Sequence, residues 1–317
     1  MMKITVVGAG LSGLIAARDL ASRGHTVVVV DKGRGVGGRL ATRRIGDAVF
    51  DHGAQFFTVR DPRFQAIVDE WLDGGVVRVW CHGFGTEQDG FPRYVGTAGM
   101  TSIAKHLATG LDVRTSSLVF SVLPTANGGW TITLDTGETF DSDAVVLTAP
   151  IPQSFGFAFT GGVEFPEELR TIDYDRTLGL LVALDGPCAI PSPGALQNPD
   201  DVFSFVGDNQ AKGISPVPAV TFHANPRWSA EHWDTPHDEA ERLLRDAAVE
   251  FLGGASIIAS NFKRWRFATP QRNWPDRFWS NDTGNMIVAG DAFAGPRVEG
   301  AALSGLAAAA ALISAND

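Results

Sequence analysis

The strongest constraint on the fold lies between Lys3 and Asp31. The run "KITVV", residues 3–7, is short, apolar and rich in β-branched residues, the composition of a buried strand. Gly8, Gly10 and Gly13 follow at GxGxxG spacing. The stretch "LIAARDLASRG" then repeats apolar residues at helical spacing through Leu14, Ala17, Leu20 and Ala21, and Gly24 stops it. "TVVVVD" is a second apolar strand, ending in Asp31. Strand, glycine turn, helix and strand in this order form the β–α–β unit that holds a dinucleotide. The first glycine makes the turn, the second admits a pyrophosphate, and the third lets helix and strand pack closely. The free N–H groups of the helix start, around Leu11 and Ser12, are placed for the phosphates. Asp31 stands about 20 residues beyond the glycines, where an acid takes a ribose hydroxyl.

The rest of the chain narrows the class. Its 317 residues are enough for about two domains. With 44% hydrophobic and 20% charged residues it reads as soluble and globular. The net charge of −10, with no basic run, argues against nucleic acid as a partner. Cys81 and Cys188 have neither CxxC nor metal-type spacing and read as reduced packing thiols of a cytoplasmic protein. His25, His82, His106, His232 and His237 form no HxxxH or HExxH pattern, so no metal is expected. The N-terminal apolar stretch is broken by glycines and runs into Arg18–Asp19, unlike a signal peptide. No apolar run is expected to reach the roughly 20 residues of a membrane span. No GxSxG or catalytic-cysteine signature is found.

Beyond Asp31 the chain reads "KGRGVGGRLATRR". Gly37 and Gly38 allow close backbone approach, and Arg39 can fork onto a phosphate or stack on a ring. Here the chain resembles the flavin amine oxidase superfamily, in which GxGxxG, an acid and then GGR mark FAD. The resemblance spans the whole chain. It implies an α/β fold: a Rossmann-like FAD-binding domain of the glutathione reductase/amine oxidase type, and a second, mainly antiparallel β-sheet substrate domain. It also implies an FAD-binding set. Lys32 joins Asp31 and the glycines. Gly53, Ala54, Gln55 and Phe56, within "FDHGAQFF", pass the isoalloxazine ring. Val119, in "SLVFSV", meets adenine, and "DAVVLTAP", residues 143–150, crosses the cofactor. Gly290–Asp291 closes the site, with the acid at the ribityl and phosphate region. Glu299, Gly300, Ala301 and Ala302 start a helix whose N-terminus favours negative charge at the pyrimidine end. Without the resemblance, this last stretch reads as a glycine-rich turn before a packing helix.

Within the superfamily the likeness is strongest to the renalase-type enzymes, especially bacterial ones. "DKGRGVGGRLATRR", "DHGAQFFTVRDPRF", "RYVGTAGMTSIAKHL", "FHANPRWS" and "GPRVEGAALSG" carry it. The chain departs from the amine oxidases proper. Arg297 stands where those commonly have an aromatic cage residue. No cysteine follows Cys188, so FAD is expected to be noncovalent. The strand "RTLGLLVALDG" lacks the lysine that many amine oxidases hold beside flavin N5. The resemblance implies an FAD oxidase of isomeric dihydronicotinamide dinucleotides, misreduced forms of NAD(P)H, with O2 as acceptor. An amine oxidase or desaturase, and a flavin-binding protein without redox turnover, are the alternatives. His223 matches a pocket histidine of the renalase pattern, or is a bonded core histidine. Arg297 is a pocket electrostatic residue, or pairs with Glu299 or Asp291. Trp228, Trp265 and Trp274 line the pocket or the core, and His52 is a flavin-loop or a turn residue.

Local signals place several elements. Asp61 and Pro62 open a helix through "DPRFQAIVDEWLDGG". "GGWTITLDTGETF" reads as a hairpin turning at Asp135–Thr136–Gly137. "HDEAERLLRDAAVEFLGG" reads as an amphipathic helix. The expected division is a discontinuous FAD domain, residues 1–75, 105–155 and 265–317, and a substrate domain, residues 76–104 and 156–264.

Overall fold

A computed structural model describes residues 1–84 and 90–315. β1 (Lys3–Val7) and β2 (Thr26–Val30) run parallel with Val6 beside Val29, and α1 (Leu11–Ser22) joins them. Apart from exposed Thr26 and half-buried Val28 of β2, their β-branched side chains are buried on both faces, as a central parallel strand requires. β3 (Thr42–Ile45) and β4 (Ala48–Asp51) form a hairpin. α2 (Pro62–Asp73) starts as expected, with the Asp61 carboxylate accepting from Arg63 N at 2.9 Å and Pro62 in the first turn. β5 (Val77–Cys81) pairs with β6 (Arg93–Gly96), and α3 (Thr101–Ala108) leads to β7 (Asp112–Arg114). β8 (Val119–Pro124), β9 (Trp130–Leu134) and β10 (Thr139–Ser142) make a small antiparallel sheet that contains the expected hairpin. β11 (Ala144–Leu147) returns parallel to β1.

After α4 (Ile151–Thr160) and α5 (Glu167–Arg170) comes the second large sheet. Its strands are β12 (Tyr174–Leu184), β13 (Ala195–Gln197), β14 (Phe203–Asp208), β15 (Ala219–Ala224) and, beyond α6 (Pro226–Glu231) and α7 (His237–Ala248), β16 (Ile257–Pro270). The chain ends with β17 (Trp279–Ser280), β18 (Met286–Val288) and α8 (Arg297–Ser314).

Two sheets therefore organise the molecule. The first has strand order β17-β18-β11-β1-β2-β7 and is parallel except for β17 at its edge. The second has order β13-β14-β15-β12-β16 and is antiparallel. One face of the second sheet sends Leu178, Leu180, Val182, Phe222 and Phe262 into a core shared with Leu244 of α7. Strand alternation turns the intervening residues the other way, and Leu181 and Ala183 there pack on Ala48 and Phe50 of β4.

The α/β class and the antiparallel second sheet agree with expectation. Two details differ. The expected boundary at 264/265 falls inside β16, and that at 104/105 falls inside α3. The expectation that no stretch is apolar enough for a membrane span is also corrected. By length and composition α8, with 18 residues, passes that test. Half of it is buried inside the protein, with Leu303, Ala308, Ala309 and Leu312 in the main core. It lies so close to α1 that a Cβ on Gly305 would stand 2.3 Å from Ser12 O. Small residues, not lipid, account for its composition.

Candidate active site

The glycine turn after β1 is built for close approach. A Cβ on Gly13 would stand 2.0 Å from Gly8 O, so helix and strand meet there only without a side chain. Asp31 braces the turn: its carboxylate accepts from Ala9 N at 2.7 Å and Gly33 N at 2.6 Å and keeps further lone pairs for a hydroxyl. No side chain caps the first turn of α1, and Ser12 Oγ is buried without a partner. A Cβ added to Gly10 would meet nothing within 4 Å. Donors without acceptors beside open space fit a pyrophosphate. Gly37 N donates to Ala9 O at 2.8 Å, bringing the Gly37–Gly38 pair against the first turn. Lys32 is exposed and donates to Gln153 Oε1 at 3.1 Å, and Val119 is buried at the start of β8.

Arg39 ties the motifs together. Its guanidinium donates to Asp291 through two bonds of 2.5 and 2.7 Å. Its carbonyl accepts from Ala54 N at 2.8 Å, and a Cβ on Gly53 would stand 2.0 Å from it. Gln55 Nε2 donates to Asp51 O and Gly53 O, and the Phe56 ring meets Phe84 at 5.1 Å and Phe205 at 6.1 Å. In the last segment Gly290 N donates to Ser304 Oγ at 2.8 Å. Ala294 and Arg297 both hold left-handed backbone, φ 50° and 78°, a costly conformation for residues with a side chain. Gly300 and Ala302 are buried and Ala301 half-buried at the start of α8. Glu299 Oε1 accepts from Arg60 N and Asp61 N, each at 2.7 Å, clasping α8 to the start of α2. Arg297 is exposed, and among the described residues it pairs with neither Glu299 nor Asp291.

The inner face of the second sheet supplies the other wall. Strand register sets Phe205, His223, Gly179 and Lys263 abreast across β14, β15, β12 and β16. Gly179 leaves a gap in this row: a Cβ there would lie 3.6 Å from both His223 Cδ2 and Lys263 Cβ. The carbonyl of His52 accepts from Trp265 Nε1 at 2.8 Å and from His223 Nε2 at 3.1 Å. The His52 ring stacks on Trp265 at 5.3 Å, and its Nδ1 is buried without a partner. Burial, then the charges of Lys263, His223 and Arg43, pushes His52 down to about 3. Burial pushes His223 down to about 4, against the opposing bond to His52 O. Both rings are therefore neutral near pH 7. His223 then carries its proton on Nε2, and Nδ1 is left as an acceptor. Trp228 stacks on His232 instead, and Trp274 packs in a separate core cluster.

Sequence reading missed a buried hub between β4 and the turn that joins β14 to β15. Lys212 Nζ donates to Asp51 Oδ2 at 2.7 Å, with side chains 1% and 0% exposed. Asp51 Oδ1 also accepts from Thr42 Oγ1 at 2.6 Å and Met100 N at 2.8 Å, and its carbonyl from Thr221 Oγ1 at 2.9 Å. This fixes the residue from which the 52–56 loop departs. Lys263 was missed too, although "NFKRWRF" alternates at strand period and puts Asn261, Lys263 and Trp265 on one face.

Comparison with known proteins agrees with this geometry. Residues 6–71 match the model of the NAD(P)-binding Rossmann-like domain, and residues 73–313 that of the flavin containing amine oxidoreductases. Renalase of Mus musculus is 23% identical over 304 residues, 87% of this chain and 88% of that protein. A 4,4'-diapophytoene desaturase of Staphylococcus haemolyticus is 41% identical over 69 residues, 22% of this chain and 14% of that protein. Putrescine oxidase bound to putrescine superimposes with a TM-score of 0.70 at 15% identity, covering 99% of both chains. An oxidoreductase of Methanosarcina mazei gives 0.65 at 17% identity, covering 96% of this chain and 99% of that one. The two structures share the fold. With an open glycine turn at α1, Asp291 paired to the GGR turn and a family match over most of its length, the chain belongs to the flavin containing amine oxidoreductases, as a renalase-like, FAD-dependent oxidoreductase.

Proposed function

We propose that the enzyme oxidises isomeric dihydronicotinamide dinucleotides, misreduced forms of NAD(P)H, to NAD(P)+, with O2 as the final electron acceptor. The observation that carries this reading is the chemistry of the inner sheet face. Neutral His52 and His223, aromatic Trp265 and Phe205, and the cation Lys263 line it, and among the described residues this row holds no carboxylate. An amine arrives as an ammonium ion, which such a face repels and which must lose a proton before it can be oxidised. A dihydropyridine ring is uncharged, and it becomes aromatic as it gives up a hydride, so no prior deprotonation is needed. Bound FAD supplies the two-electron acceptor for that hydride.

The protein's share is positioning. The gap at Gly179, walled by His223 and Lys263, suits a flat ring. His223 Nδ1 is an acceptor for the carboxamide N–H, and Arg297, on the exposed first turn of α8, is a candidate rim contact. Binding energy then goes to orientation rather than to removing a proton. The likeness to mouse renalase across most of the chain supports the same reading.

The test is anaerobic bleaching of the flavin spectrum by a panel of amines, ordinary NAD(P)H and its ring isomers. Rapid bleaching by the isomers supports the proposal. Rapid bleaching by a primary or secondary amine, with no response to the isomers, rejects it in favour of an amine oxidase.

A further inference from the structure

We propose that Arg34, Arg43 and Lys263 form an anion subsite that takes the pyrophosphate of a dinucleotide substrate, an inference that rests on the function proposed above. The chain is acidic, with net charge −10, yet these three cations have no acidic partner among the described residues. Arg43 lies opposite Phe50 in the β3–β4 hairpin, so both point to the same side. Phe50 is fully buried against Leu181 and Ala183 of β12, so Arg43 points toward the inner face of the second sheet. There its Nε is buried without an acceptor. Two residues from Lys263 on that face, Asn261 Oδ1 is buried without a donor. Buried polar atoms without partners are rare and mark places where a further group completes the bonding. An anion completes Arg43, and a ribose hydroxyl completes Asn261.

The charges reinforce one another. Burial holds the Lys263 ammonium below its ordinary pKa, and the fields of Arg43 and Arg34 add to this. A bound anion relieves all three, and the pyrophosphate of a dinucleotide carries two negative charges. The subsite uses cations other than Arg39, which is already matched by Asp291. It borders the substrate row, because Lys263 stands directly across Gly179 from His223. Local charge thus opposes the global charge, and an anionic substrate has a place to bind on an acidic protein.

The test begins with calorimetric titration of inorganic pyrophosphate into the FAD-loaded protein. Binding is expected in the parent. It should weaken tenfold or more in Lys263→Gln and Arg43→Gln, persist in Lys263→Arg, and fall with added salt. Arg34→Gln, at an exposed position, gives the same direction without risk to folding. FAD content should stay constant throughout. In anaerobic reduction, the glutamine variants should raise the half-saturating concentration of dinucleotide isomers about tenfold, about 1.4 kcal/mol. Arg34→Gln and Arg43→Gln, which lie outside the Gly179 row, should leave a phosphate-free dihydronicotinamide riboside isomer unaffected. No pyrophosphate binding in the parent, loss of FAD from the variants, or an equal effect of the two arginine variants on the riboside each overturns the subsite. Pyrophosphate binding that depends on Lys263 and Arg43, with no bleaching by any isomer, keeps the subsite and rejects the proposed reaction. Bleaching by dinucleotides that is indifferent to all three substitutions does the reverse.

Discussion

Arg39 and Asp291 are joined by two hydrogen bonds of 2.5 and 2.7 Å, although 252 residues separate them in sequence. The pair links the GGR turn to the loop before the last helix. It also fixes the carbonyl to which the 52–56 loop is bonded. Three distant motifs are thereby held together.

Asp291→Ala is therefore expected to weaken FAD binding by about 1–3 kcal/mol, the scale of a charge-assisted bond and its abandoned partner. Arg39→Ala should cost a similar amount, and the double variant less than the sum, because the two act as a unit. FAD affinities of the four proteins, measured by flavin fluorescence during reconstitution, check this. Additive losses would show that the ion pair is incidental to the cofactor site.

Lys212→Met should destabilise the fold by about 3–5 kcal/mol, since it strands a fully buried carboxylate at Asp51. Adding Asp51→Asn should recover part of the loss by removing that charge. Urea unfolding midpoints of the two variants decide it, and a single-variant loss below about 1 kcal/mol would contradict the burial argument.

Much of the frame was legible because its signals are local. The GxGxxG turn, the Asp61–Pro62 helix start and the Asp135–Gly137 turn each depend on neighbours within a few residues. The Lys212–Asp51 pair spans 161 residues and joins the turn between β14 and β15 to β4, so no local pattern marks it. Lys263 reaches the site through the register of β12 and β16, which shifts between Asp175 and Thr177 and again between Ala183 and Leu184. The stretch "RTLGLLVALDG" indeed holds no lysine, but its Gly179 lies opposite one. Glu299 shows another limit: the resemblance implies its place at a helix start in the cofactor site, but no pattern marks that its carboxylate binds two backbone N–H groups of the α2 entry. Alanine-rich α8 reads as a packing helix by its place after a glycine-rich turn and as a span by composition; its burial in the main core and its close approach to α1 separate the two.

Glu299→Ala tests that clasp. Loss of two charged hydrogen bonds should lower stability by about 1–3 kcal/mol while FAD affinity changes less than about threefold. Thermal unfolding and FAD titration read the two effects separately. A large drop in affinity without a stability loss would return Glu299 to the flavin.

The neutral histidines make a pH prediction. His52 and His223 sit at about 3 and about 4, below the ordinary imidazole value. The unfolded chain therefore binds more protons than the folded one between about pH 4 and about pH 6.5, and stability rises with pH through that window. Acidification from neutrality should lower the urea midpoint, less so in His223→Gln. The rate of flavin reduction by dihydronicotinamide isomers should carry no histidine titration between roughly pH 5.5 and pH 8. A rate step near pH 6.5 that disappears in His223→Gln would show that the ring titrates normally.

The gap at Gly179 gives the most direct test of where the substrate sits. The residue lies in regular β12, and a Cβ there would meet its neighbours at 3.5 to 3.6 Å, ordinary contact distances. Gly179→Ala should therefore fold and bind FAD normally, with a modest slowing of flavin reduction. Gly179→Leu should fill the space between His223 and Lys263 and slow reduction by dihydronicotinamide isomers at least about a hundredfold, the effect of displacing a reactant by about an ångström. FAD content, flavin absorbance and unfolding midpoint should stay near those of the parent. Stopped-flow reduction of both variants at saturating substrate separates this outcome from a folding defect. If Gly179→Leu reduces as fast as the parent while keeping its FAD, the ring does not bind in the His223–Lys263 row, and the substrate must approach the flavin from another side.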